Sequence, residues 1–165
     1  MTGSGVSERD LLYLLLMIPG LGRKRIRAIH ETYGSFAAAI ADWQYLVEKL
    51  KLATAWAKFG ERRHPLAVAA ELARQRSAKH VNYLCFLDPD YPESLRHIPD
   101  PPLALFYRGE RGILQNPLVI GVVGTRKPTS YGRAACAQIV KELAQAGVVI
   151  VSGLAYGIDA EAHAA

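Results

Sequence analysis

Two apolar runs, residues 118–123 and 148–151, each empty into a polar loop punctuated by glycine, and this arrangement constrains the fold more than anything else in the chain. The first loop reads Gly124-Thr-Arg-Lys-Pro-Thr-Ser-Tyr-Gly132 and the second Ser152-Gly-Leu-Ala-Tyr-Gly157. Residues 133–145 have helical spacing, with Ala134, Ile139 and Leu143 expected inward and Gln138, Lys141 and Glu142 outward; Gly147 supplies the stop. The unit is therefore β-loop-α-β, the opening of a parallel α/β sheet. Ligands of such sheets sit beyond the carboxyl ends of the strands, where both loops emerge. Glycines let backbone N–H groups approach closely, a helix N-terminus adds positive potential, and Arg126 and Lys127 stand in the turn itself. The ligand these features imply is a phosphate. The plainer alternative is that Gly124 and Gly153 only make tight strand-to-helix turns.

Missing motifs narrow the ligand. A dinucleotide site needs G-x-G-x-x-G after the first strand and an acidic residue ending the second. Here the first strand gives Gly121-Val-Val-Gly124-Thr-Arg126 and the second ends in Ser152-Gly153, so a nicotinamide or flavin cofactor is disfavoured. The ATP-type G-x-x-x-x-G-K-[ST] loop does not occur. No cofactor or metal ligand set is expected. The fixed charge of Arg126 suits a single phosphate held by a guanidinium fork, in a nucleic-acid backbone or a mononucleotide.

Charge supports a polyanionic partner and is unevenly distributed. Residues 1–80 hold 13 Lys and Arg against 7 Asp and Glu, whereas residues 81–165 hold 7 against 8, for a net charge of +5 and a pI near 9.3. Two domains sharing a ligand are the simplest reading: residues 1–80 supply the field and residues 81–165 the pocket. A second division near Asn116 is also considered. The apolar run 11–18 is too short to span a membrane and follows Ser7-x-x-Asp10, a capping box. Cys85 and Cys136 lie far apart without metal or disulfide spacing. A reducing cytoplasm is the expected compartment.

Helices dominate the first half: residues 7–18, a basic helix over 23–32, a Ser35-capped Ala-rich helix, and two more near 44–59 and 65–79. Pro19-Gly-Leu-Gly22 followed by Arg23, Lys24 and Arg25 is the pattern of a helix-hairpin-helix, in which Gly20, Gly22 and the three cations would hold a DNA phosphate without reading bases. The alternative is an αα-turn whose glycines allow sharp geometry and whose cations form a solvated face. Residues 81–87 read as a strand, 88–92 as a turn, 93–98 as a helical turn and 103–107 as a second strand.

The order of these motifs resembles the DNA-processing protein DprA (Smf) family. It runs from the Pro-Gly-Leu-Gly hairpin through Asp-Pro-Asp-Tyr-Pro-x-x-Leu and Pro-Pro-Leu-x-Leu-x-x-x-Gly to Val-Gly-Thr-Arg with Tyr-Gly, and ends in Ser-Gly-Leu-Ala-x-Gly-Ile-Asp-x-x-Ala-His. The resemblance implies a Rossmann-like DNA-binding domain preceded by a sterile-alpha-motif-like helical domain. It also implies sequence-independent binding of single-stranded DNA in natural transformation and recombination, protection of incoming DNA, dimerisation and help in loading the recombinase RecA, with no catalytic turnover. Gly124, Thr125 and Arg126 match the family's first loop, and Ser152, Gly153, Leu154, Ala155 and Gly157 its second. Lys127, Ser130 and Tyr131 are added as neighbours able to reach a second phosphate, and Tyr131 or Tyr156 as a stacking surface for a base.

Asp159 and His163 are spaced i, i+4 and admit an acid–base reading, set against one in which both support the second loop. The rival function is a nucleotide-processing enzyme of the lysine-decarboxylase-like Rossmann group, a nucleoside monophosphate phosphoribohydrolase. Its Pro-Gly-Gly-x-Gly-Thr-x-x-Glu motif would fall beyond residue 165. The resemblance also implies further strands there, so the chain is expected to be a fragment, marginally stable alone or leaning on another chain.

Overall fold

A computed structural model describes residues 5–60 and 63–165. The chain packs as two compact units, Met1–Gly109 and Glu110–Ala165. Tyr83, Cys85 and Leu103 of the middle segment are buried in the same core as the helices, so the first compact unit reaches to Gly109.

In the first unit α1 (Glu8–Met17) begins at the capping box read from the sequence: the Asp10 amide donates to the Ser7 side chain and the Ser7 amide to Asp10. Leu11, Leu12, Leu14 and Leu15 are buried on it. α2 (Arg23–Tyr33) stops at Gly34, which takes a left-handed φ of 74°. Ser35 caps α3 (Phe36–Ala41), and Glu8 adds a second cap from a distance, accepting from the amides of Phe36 (2.7 Å) and Ala37 (2.8 Å). The helix expected over 44–59 is two helices, α4 (Trp43–Lys49) and α5 (Ala53–Phe59). Lys51 separates them with a φ of 54°, a value no α-helix accommodates. α6 (Pro65–Ala78) packs on α1.

β1 (Asn82–Cys85) and β2 (Ala104–Tyr107) form an antiparallel pair, Tyr83 opposite Phe106. The Asp-Pro-Asp-Tyr-Pro turn between them is a structural device. Asp88 is buried, accepts from the Cys85 amide at 2.8 Å and pairs with Arg9 at 3.2 Å. Arg96, on the short α7 (Glu93–Arg96), donates to the carbonyls of Phe86 and Asp88. The Tyr91 hydroxyl donates to the Pro102 carbonyl.

The second unit contains a 3-10 turn (Arg111–Gln115), β3 (Val119–Gly121), α8 (Ser130–Gln145), β4 (Val149–Val151) and α9 (Ile158–Ala164). β3 and β4 pair in parallel, Ile120 beside Ile150, as the two apolar runs require. The core is small: Cys136, Val140 and Ala162 are buried, with Val122, Ile150 and Ile158 against them. The inward face expected for α8 needs correction, since Ala134 is exposed and Ile139 is 56% exposed, while Cys136 and Val140 point in. α8 also starts a turn earlier than expected, because the Thr129 side chain accepts from the Gly132 amide and nucleates it. Among the described residues, no helix is long and apolar enough to cross a membrane.

Candidate nucleic-acid interface

Parallel pairing puts the ends of β3 and β4 side by side, so both glycine loops leave from one edge of the second unit. The ladder continues one residue past β3, where the Val122 amide donates to the Val151 carbonyl at 2.8 Å. The Ser152 hydroxyl then donates to the Val122 carbonyl at 2.8 Å, fastening the second loop to the first strand.

Farther out the two backbones touch. The Ile158 amide donates to the Thr125 carbonyl at 3.1 Å. Gly157 has φ 89° and ψ −124°, and a Cβ there would lie 2.3 Å from the Thr125 oxygen and 2.7 Å from Arg126 backbone atoms. Gly124 is fitted reciprocally: a Cβ on it would lie 2.8 Å from Ile158 side-chain carbons. Both glycines are thus required by close approach, and Gly157 by conformation as well. Gly153 donates its amide to the Asp159 carboxylate at 3.1 Å, and Asp159 is only 4% exposed. That bond is the loop-support role; His163 is exposed on α9.

This packing presents Arg126. Its side chain borders an open recess of about 480 Å³ with Leu154, Ala155, Tyr156 and Ala160, so the structure brings Arg126 together with the second loop. Among the described residues neither Arg126 nor Lys127 makes an ion pair, whereas Arg133 on α8 lies 3.5 Å from Glu161. Thr125 holds the turn by accepting the Lys127 amide at 3.2 Å. Ser130 and Tyr131 are the first residues of α8, not loop residues, and Tyr131 is 82% exposed. Leu154 (φ 55°) and Tyr156 stand well clear of the protein surface. The arrangement offers a cation, close backbone and bare apolar groups at one edge, which suits a ligand with both phosphate and ring.

The hairpin residues lie in the first unit. Gly20 takes a φ of 81° in the turn, and Gly22 is the residue before α2. Lys24 and Arg25 are exposed, but Arg23 is engaged in a two-nitrogen pair with Asp100. No local signal pointed to Asp100, which lies 77 residues away in sequence. The Ser152 bond to Val122 and the Gly157–Thr125 fit were equally hidden, because they join separate loops.

The profile of the family described as DNA recombination-mediator protein A matches residues 82–165. The DNA processing protein DprA of Bacillus subtilis is 45% identical over 85 residues, 52% of this chain and 29% of that protein. The DNA processing protein DprA of Streptococcus pneumoniae is 43% identical over 79 residues, covering 48% and 27% respectively. The X-ray structure of DprA from Streptococcus pneumoniae matches with a TM-score of 0.57 at 28% identity, over 94% of this chain and 52% of that one. The chain therefore spans less than a third of these two curated relatives and about half of the solved chain. Its mixed α/β architecture is similar to that of the solved DprA structure.

Proposed function

The chain belongs to the DNA recombination-mediator protein A family, and from that premise we propose that it holds single-stranded DNA by its sugar-phosphate chain without reading base order. Arg126 is the fixed charge, its guanidinium forking onto one phosphate, and Lys127 with the Ser130 hydroxyl reaches a neighbouring one. Gly124, Thr125, Ser152, Gly153 and Gly157 bring backbone close to the strand. Leu154, Ala155 and Tyr156, with Tyr131, give bases an apolar surface on which to stack, worth about 1–3 kcal/mol per base where an aromatic ring is used.

The finer family properties are part of the same proposal: action in natural transformation and recombination within the cytoplasm, protection of incoming DNA, delivery to RecA, a homodimeric assembly, and binding without catalytic turnover. The helical part, residues 1–80, serves as a SAM-like domain whose Gly20–Gly22 turn and Arg23, Lys24 and Arg25 add a second phosphate contact of helix-hairpin-helix type. Residues 81–165 form the opening of the Rossmann-like domain.

One observation carries this reading: two glycine loops are pressed together backbone to backbone, and the exposed cation bordering their recess has no ion pair among the described residues. Titration of labelled single-stranded oligonucleotides into wild type and Arg126→Ala tests it. The variant is expected to lose about 1.5–3 kcal/mol, as for a charged hydrogen bond, equally on homopolymeric and mixed sequences. Equal affinity of variant and wild type overturns the assignment.

A further inference from the structure

α2 begins Arg23-Lys-Arg-Ile-Arg27 with no acidic residue in its first turn, yet its first cation is already occupied from within the chain. Arg23 Nε lies 3.1 Å from one Asp100 oxygen and 3.0 Å from the other, and its Nη2 lies 2.5 Å from the second. One turn on, Arg27 Nη2 donates to the Pro101 carbonyl at 2.8 Å. Residues 100–101 thus lie as a strap across the Arg23 and Arg27 side of α2. The strap is anchored beyond this point by the Tyr91 hydroxyl on the Pro102 carbonyl and by buried Leu103. The Arg23 bond holds the Asp100 carboxyl below its usual range, with further attraction from Arg23, Lys24 and Arg27. Arg23 touches the carboxylate itself and Arg27 the next carbonyl, while Lys24 between them has no ion pair among the described residues.

We propose that Asp100 is an intramolecular substitute for a nucleic-acid phosphate, screening the basic face formed by Arg23, Lys24 and Arg27 until a polyanion displaces it. The proposal rests on the chain being a nucleic-acid binder, though not on the glycine loops being its main grip. The fork that Arg23 makes on the carboxylate is the geometry a guanidinium makes on a phosphate, so the exchange needs no rebuilding of the helix. The contact is a gate and not a lock, because both side chains are substantially exposed, 57% for Arg23 and 35% for Asp100. An ion pair so exposed contributes little to folding and is screened by salt. A chain of phosphates offers several charges where Asp100 offers one. The anchored Pro102 and Leu103 keep the strap in register while the carboxylate swings away. The result is a second contact that adds to affinity on a long strand and is muted toward isolated anions.

The test is Asp100→Asn in the whole chain, read by fluorescence anisotropy on a labelled oligothymidylate at about 50 mM and about 200 mM salt, a range over which phosphate contacts separate clearly. Affinity is expected to rise roughly 3- to 10-fold at the lower salt, and the salt slope to steepen by about 0.7, as one added phosphate contact on a single strand requires. Asp100→Ser gives the same gain by another chemistry, and thermal melting confirms that both variants fold. Adding Lys24→Gln to Asp100→Asn removes much of the gain. Unchanged or weaker binding by folded Asp100→Asn and Asp100→Ser overturns the proposal. The same comparison in an Arg126→Ala background separates the two readings: a gain there supports the gate whether or not Arg126→Ala alone weakens binding.

Discussion

The Thr125 carbonyl oxygen accepts the Ile158 amide at 3.1 Å and would meet a Cβ on Gly157 at 2.3 Å, so one backbone oxygen both joins the two loops and forbids a side chain between them. Gly157→Ala must break that contact and also force alanine to a φ of 89°. We expect a loss of about 1–3 kcal/mol from the backbone conformation alone, with more from the clash. Urea unfolding followed by signals of the second unit measures it, and single-stranded DNA affinity should fall alongside. A variant as stable as wild type would mean that the loops do not pack this way.

Asp159 tests support against chemistry. Its carboxylate is buried and holds the Gly153 amide. Asp159→Ala leaves that amide without a partner and is expected to cost about 1–3 kcal/mol. Asp159→Asn, which retains an acceptor oxygen, should cost less, with DNA affinity following stability in the same order. If Asp159→Ala melts as wild type does while binding is lost, the side chain contacts the ligand instead.

Glu8 caps a helix that is not its own. Removing its carboxylate in Glu8→Ala leaves the Phe36 and Ala37 amides without their partner while Ser35 still holds the Ala38 amide, and is expected to cost about 0.5–2 kcal/mol in urea denaturation. Ser35→Ala, which releases only the Ala38 amide, should add a separate cost, since the two caps hold different amides.

Alkaline pH should weaken the first unit. Burial, followed by the neighbouring Cys85, pushes the Tyr83 phenol above its ordinary 10.0, and burial pushes the Cys85 thiol above 9.0. Both groups stay protonated in the folded chain where the unfolded chain releases its protons. Stability is therefore intact below about pH 9 and declines as pH rises above it. Melting temperature from pH 8 to 11 checks the sign, and Tyr83→Phe should flatten the decline. A melting temperature that rises over this range would contradict the burial of these groups.

Much of the fold was legible because its signals are local. Ser7 and Ser35 announced their helices, Gly34 ended one, and the apolar runs around residues 120 and 150 gave a parallel pair. The α8 face was misjudged because helical periodicity finds apolar stripes without saying which is covered; Cys136 and Val140 meet α9, and Ile139 meets nothing comparable. The break at Lys51 depends on a left-handed residue that carries no glycine or proline to mark it. The loop residues proposed around Arg126 were singled out by composition and position. Their mutual fit, and the Arg23–Asp100 pair, depend on residues distant in sequence, and no window of residues reports such a contact.

The two interiors differ greatly in depth: the first unit surrounds a broad core of leucines, isoleucines and aromatics, while the second closes over Cys136, Val140 and Ala162. Amide hydrogens around the glycine loops should accordingly exchange through openings that leave the helical half intact. Occupancy by a ligand would then register first as slowed exchange around the glycine loops, since whatever binds only the closed form withdraws population from the open one. The thin interior makes the second unit the more responsive reporter of anything bound to it.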